Sequence, residues 1–205
     1  MSTRTRRGIA TTALTVAATL AVAGFPASAA QPPAKPAVVA APPAFGRLGP
    51  LIGLVVERLR VSDDVAAAKF GTTSPIDDPG REQQVLDQVR ARATALGLDP
   101  DAAAAFFRDQ ITASKVVQRG RFARWTAHPD QAPTTRPDLG PIRTRLDRLT
   151  ADLLDRLKAT VDLRSERVPC TVQLAVAAGS AVVLERLDAL HRRALGTAVH
   201  SVCGG

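Results

Sequence analysis

The chain has 205 residues, 45% of them apolar, 22% charged and 3% aromatic, with a formal charge of +8. That length suits one compact domain, and the apolar fraction together with only 14 Gly and 15 Pro excludes wholesale disorder and collagen-like or linker-only chains. Six Phe, one Trp and no Tyr leave few stacking platforms, so nucleic acid is a poor partner, whereas a modest positive balance suits a small anion.

Arg4, Arg6 and Arg7 precede an apolar run from Gly8 to Phe25, and Ala27-Ser28-Ala29 follows. A basic end, a greasy middle and small residues at the cleavage point read as an export signal over residues 1–29, cut after Ala29 or one residue later. A retained membrane anchor ranks below it, because the run barely reaches the roughly 20 residues a bilayer needs. Without Arg4, Arg6 and Arg7 the remaining 24 Lys and Arg face 19 Asp and Glu, a net charge of +5. No membrane association is expected after cleavage. Residues 30–44, with five prolines among alanines, read as a tether, and 45–205 as the folded body.

In that body Leu48, Leu51, Ile52, Val55, Val56, Leu59 and Ala66 recur at helical spacing and predict a first helix from about Phe45 to Phe70. Asp78-Pro79 and Asp99-Pro100 are helix starts, each a carboxylate cap followed by proline at the first helical position. They predict helices over about Pro79–Leu96, closed by Gly97, and about Pro100–Trp125. After a stretch with Pro129, Pro133, Pro137 and Pro141, a fourth helix carries Ile142, Leu146, Leu149, Leu153, Leu157 and Val161 as one stripe. The segment after Pro169 is again helical, with Leu174, Leu184, Leu187, Leu190 and Leu195 as core positions. No strand-like alternation of useful length occurs. The expectation is an all-α single-domain bundle of about five or six helices.

Cys170 and Cys203 lie in the exported part, where oxidation is permitted, and a disulfide between them is expected. Zinc is the alternative, His200 and Cys203 being one turn apart, but zinc wants three or four ligands; His128, His191 and His200 read as surface or packing residues. A straight helix would hold the cysteines about 50 Å apart, whereas bridging needs Cα atoms within about 7 Å. The last segment must therefore break, between Gly179 and Glu185 and preferably late in that range.

Motifs for phosphate binding, serine hydrolysis, zinc proteolysis and di-iron chemistry are all missing. What stands out instead is polar residues at shared faces. Arg58 and Lys69 are 11 residues apart, three helical turns. Asp78, Arg81 and Glu82 open the second helix on one face, Ser114 and Gln118 form an i, i+4 pair on the third beside Phe106, Phe107 and Ile111, and Arg143 opens the fourth. Singly, each is as well explained as solvated surface.

Together, Glu57-Arg58-Leu59 with Val65 to Lys69, Pro75 to Gln84, and Phe107 to Ile111 with Ser114 and Gln118 resemble the all-helical chorismate mutases. The leader, Arg121-Phe122, Trp125, the proline-rich loop, Arg143 and the cysteine pair resemble their exported subclass, over about Leu51 to Cys203. The resemblance implies an intramolecular isomerase of aromatic amino acid biosynthesis type, rearranging the small-molecule substrate chorismate to prephenate with no cofactor and no metal. It implies that Arg58 and Arg143 clamp carboxylates, that Arg81 joins them with Asp78 at its helix start, and that Lys69 and Gln118 flank the ether oxygen. Ser114 would sit near a carboxylate, and Glu82 corresponds to a carboxylate that binds the ring hydroxyl in some members. An isochorismate-pyruvate lyase on the same scaffold and a non-catalytic exported binding module are the alternatives, and a homodimer through exposed apolar faces is allowed.

Overall fold

The computed structural model describes residues 45–204, so the expected export signal and the tether lie outside the described residues. Seven α-helices are present: α1 Gly49–Lys69, α2 Pro79–Leu96, α3 Pro100–Ala127, α4 Leu139–Ala159, α5 Val161–Ser165, α6 Arg167–Leu184 and α7 Ala189–Ala198, with a 3-10 turn at Pro129–Gln131 between α3 and α4. Among the described residues there is no strand.

The helix starts follow from their caps. The Asp78 carboxylate accepts from the backbone N–H of Arg81, and the Asp99 carboxylate accepts from those of Asp101 and Ala102. At the end of α2, Gly97 takes the left-handed conformation (φ 74°), and Leu98 N–H reaches back to the Ala93 carbonyl at 2.9 Å, turning the chain directly into α3. α3 is the longest element and packs on α1, α2 and α7, while α1 also meets α4 and α6. The core gathers Leu51, Ile52, Val55 and Leu59 of α1, Phe106 and Phe107 of α3, and Leu153 and Leu157 of α4, each at most 2% exposed.

Two expectations shift. The fourth helix stops at Ala159, because the Thr160 hydroxyl donates back to the Arg156 carbonyl at 2.7 Å and Arg164 Nη2 donates to the Leu157 carbonyl at 3.1 Å. Val161 therefore leaves the stripe, is 47% exposed and begins α5. This split raises the helix number above five or six. In the last segment Leu187 and Leu195 are buried as expected, but Leu174, Leu184 and Leu190 are only partly so. The fully buried residues of α6, apart from Cys170, are small, Ala177 and Ala181, with Leu174 and Val182 partly buried against the core and Val168, Val172, Val176 and Val183 exposed.

Cys170 and Cys203 form the disulfide, with Cα atoms 5.7 Å apart. The required reversal falls at the late end of the expected range: α6 closes at Leu184, and Arg186 takes positive φ (49°) to turn the chain into α7. α6 is long and apolar enough to cross a membrane, yet it carries this covalent tie and packs on α1, which makes it a bundle helix.

Candidate active site

A cavity of about 270 Å³ opens between α1, α2, α3, α4 and the loop from Phe70 to Asp78, close to the lower end of the roughly 300–1,000 Å³ typical of small-molecule sites. All eight residues singled out from the sequence line it: Arg58 and Lys69 from α1, Asp78 with Arg81 and Glu82 from the start of α2, Ser114 and Gln118 from α3, and Arg143 from α4. Each helix brings its polar residues there because its apolar stripe faces the core beside them. Val65, Val85, Ile111, Ile142 and Leu146 supply apolar wall.

Arg58 is buried, 7% exposed, with its guanidinium 5.9 Å from the Phe107 ring centroid. Its Nε and Nη1 are buried and unpartnered. Desolvation by burial lowers its pKa to about 10, and the charge of Asp147 opposes that only in part. Buried N–H groups of a cation without hydrogen-bond partners are costly, so this position suits an anionic partner.

Gln118 is 4% exposed; its Nε2 donates to Ser114 Oγ at 3.1 Å, while its Oε1 is buried and unpartnered. Ser114 Oγ also lies 2.8 Å from Ser62 Oγ, which donates to the Arg58 carbonyl at 3.1 Å. Lys69 is half-buried and donates to the Pro75 carbonyl at 2.8 Å, leaving two of its three N–H groups free. Burial lowers the Lys69 pKa, Asp78 opposes this, and the neighbouring charge of Arg143 adds to the lowering.

Arg81, Asp78 and Arg143 form the exposed rim. Arg81 Nη1 donates to Gln84 Oε1 at a long 3.3 Å, and Arg143 has no side-chain partner among the described residues. Glu82 is more committed than its sequence suggested: its Oε1 accepts from the Asp78 N–H at 3.1 Å and its Oε2 from Lys115 Nζ at 2.7 Å.

Sequence reasoning missed Lys115, Ser62, Asp147 and Thr150. Lys115 lies between Ser114 and Gln118 in the chain and was one of only four lysines, a signal that could have marked it. Ser62, four residues after Arg58 in an apolar helix, was a second. Counting side chains on the wall, Arg58, Lys69, Arg81, Lys115 and Arg143 oppose Asp78, Glu82 and Asp147, a surplus of two positive charges. The pocket therefore suits a small dianion with a compact apolar body. Among the described residues no group of three His, Cys, Asp or Glu side chains could hold a metal, and both cysteine sulfurs are in the disulfide.

Comparison with known proteins identifies the family. Residues 50–119 match the model of the family described as chorismate mutase type II. The chain is 36% identical over 156 residues to a secreted chorismate mutase of Mycolicibacterium smegmatis, covering 76% of this chain and 86% of that one. It is also 36% identical over 157 residues to a secreted chorismate mutase of Mycobacterium tuberculosis, covering 77% and 78%. Among solved structures, the chorismate mutase from Burkholderia thailandensis aligns with a TM-score of 0.72 at 40% identity, covering 77% of this chain and 99% of that one.

Proposed function

The chain belongs to the chorismate mutase type II family, its reaction is the isomerisation of chorismate to prephenate, and we propose that the α1–α4 cavity is where that reaction takes place. The observation that carries this placement is the Arg58 guanidinium, whose Nε and Nη1 are buried and unpartnered, in a pocket with two surplus positive charges, matched to a substrate bearing two carboxylates.

The rearrangement is concerted. The ether C–O bond breaks as the new C–C bond forms, no group is transferred to the protein, and negative charge grows transiently on the ether oxygen. Arg58 and Arg143 hold the carboxylates, for which a planar fork is the suited donor, and Arg81 closes the rim. Together they favour the compact conformer in which the enolpyruvyl arm lies over the ring, supplying orientation. Lys69 gives one of its free N–H groups to the ether oxygen, and the Gln118 amide donates from the other side, so that donors stand ready where charge develops. A half-turn of that amide is permitted by Ser114, whose hydroxyl can donate or accept. Glu82 holds the start of α2 and Lys115, with lone pairs left for the ring hydroxyl.

Incubating the purified mature protein with chorismate tests this: ultraviolet absorbance falls and prephenate accumulates. Unchanged absorbance would indicate a binding module, and pyruvate with salicylate a lyase.

Export of the chain is supported by the basic, apolar and small-residue order of residues 1–29, by the disulfide and by relatives named as secreted. N-terminal sequencing of exported protein is expected to begin at Ala30 or Gln31. A homodimer through the outer face of α6 is supported by Val168, Val172, Val176 and Val183, which are 48–74% exposed. Equilibrium sedimentation of Val172→Glu would then shift from dimer to monomer.

A further inference from the structure

The loop from Phe70 to Asp78 forms one wall of the cavity and has little core of its own, yet it is fastened at both ends. At its start, Phe70 packs edge-on against Phe122 and Trp125 of α3, with centroids 5.2 Å away in each case. At its end, Lys115 Nζ stands 2.7 Å from Glu82 Oε2 and 3.1 Å from Asp77 Oδ1. Arg119, one turn further along α3, holds Asp77 with Nη2 at 2.8 and 2.7 Å from its two oxygens. Glu82 in turn accepts from the Asp78 N–H. Between these anchors lies Pro75, whose carbonyl fixes the Lys69 ammonium.

We propose that Lys115 is a positioning residue for the mutase reaction: by tying Asp77 and Glu82 to α3 it sets the loop, and through the Pro75 carbonyl it aims Lys69 at the ether oxygen. This role rests on the mutase reading of the cavity. Its chemistry is consistent with the electrostatics. Burial works against the Lys115 charge, but the hydrogen bonds to Glu82 and Asp77 outweigh it and hold its pKa above the ordinary value. The Asp77 carboxyl is held below its ordinary value by Lys115 and Arg119. Both contacts of Lys115 are to protein carboxylates, so it is not assigned to either substrate carboxylate. Lys69 acts chiefly where charge develops, so misaiming it lowers kcat more than it raises KM.

The experiment compares wild type, Lys115→Met, Lys115→Arg and Asp77→Asn, with hydrogen exchange of residues 71–78 followed alongside turnover. Asp77 is exposed on the loop, so Asp77→Asn cuts the strap without disturbing the core. Lys115→Met and Asp77→Asn are each expected to lower kcat by about ten- to a hundredfold, with KM within about threefold of wild type and exchange of the loop amides accelerated. Lys115→Arg restores kcat to within about threefold, and Lys115→Met/Asp77→Asn adds little to the single losses, as expected for one linked unit. Wild-type kcat in either Lys115→Met or Asp77→Asn overturns the inference, as does a loss confined to KM or to Lys115→Met alone. Absence of chorismate turnover in the wild type overturns the mutase reading together with this role.

Discussion

Two clusters of partly buried charge are built on the same pair of helices, α1 and α3, and they are completed differently. In the cavity, Arg58 and Gln118 keep buried polar atoms without partners, and burial dominates the electrostatics of Arg58. On the α7 side, Asp63 of α1 receives Arg121 Nε of α3 at 2.6 Å and faces His191 Nε2 of α7 at 3.0 Å, while His191 Nδ1 lies 2.8 Å from the Asp188 carboxylate. Arg121 Nη2 lies 3.8 Å from Asp188. There Arg121 and the His191 ring meet two carboxylates, so each of these partly buried polar groups has a partner within the protein. Arg121 shows the contrast with Arg58: its hydrogen bond to Asp63 outweighs burial and raises its pKa. Electrostatic completeness separates the charge that holds the bundle from the charge that awaits a ligand.

The sharpest way to break this distinction is Arg58→Met. It removes the forked donor but keeps the length of the side chain, so turnover is expected to fall by about three powers of ten. Stability stays level or rises, because the buried Nε and Nη1 had no hydrogen-bond partner in the protein. Lys69→Ala should behave similarly in turnover, with a loss of two to three powers of ten. Kinetics paired with thermal melts check both; a strongly destabilised Arg58→Met would place that arginine in the structural class instead.

The disulfide tests the other side. It closes a sequence separation of 33 residues around α6 and α7, and removing such a constraint costs about 3–4 kcal/mol in the chain-entropy description. Cys170→Ala/Cys203→Ala is therefore expected to melt well below the wild type. Every cavity-lining residue lies between Arg58 and Thr150, so kcat at 25 °C should stay within about threefold. A large loss of kcat in protein that remains folded would mean that α6 and α7 shape the pocket as well as support it.

What could be read from the sequence divides along the same line. Asp78-Pro79 and Asp99-Pro100 announced α2 and α3 because capping is local chemistry, and the α1 stripe announced its core for the same reason. The pocket residues were legible through a family resemblance that places single side chains at set spacings; their individual patterns also fitted plain surface. Pairings across the fold were not legible. His191, read as a surface or packing residue, is 6% exposed and bound on both nitrogens, but its partner Asp63 is 128 residues away in the chain. Lys115 and Glu82 meet over 33 residues. The break after Ala159 was hidden because Val161 continues the apolar period, while the contacts that end the helix come from Thr160 and Arg164.

The smallest expected effect separates the two clusters by pH. Hydrogen bonding to Asp63 raises the His191 pKa above its ordinary 6.5, burial opposes this, and Asp188 adds to the rise. A group raised on folding contributes stability in full below its unfolded value, and that contribution fades as pH climbs through the folded value. For Asp63, burial works against the charge but the bonds from His191 and Arg121 outweigh it, so its pKa falls below its ordinary 3.8; Asp188 is lowered in the same sense. Their contribution is present above about pH 4 and fades as pH drops through the lowered values. The melting temperature should thus be highest between about pH 4 and 6.5 and decline by a few degrees as pH rises through the raised His191 value, each kcal/mol being worth roughly 2–4 °C in a chain of this size. His191→Gln should lower the plateau and remove the alkaline decline. Turnover should not follow this curve: the Gln118 amide does not titrate, so activity is expected to stay level from pH 5 to 8 and to fall only as the lowered pKa of Lys69 is approached from below. If kcat instead dropped in step with the melting temperature, and His191→Gln abolished both, the paired cluster would be acting on the reaction and the separation between the two would be lost.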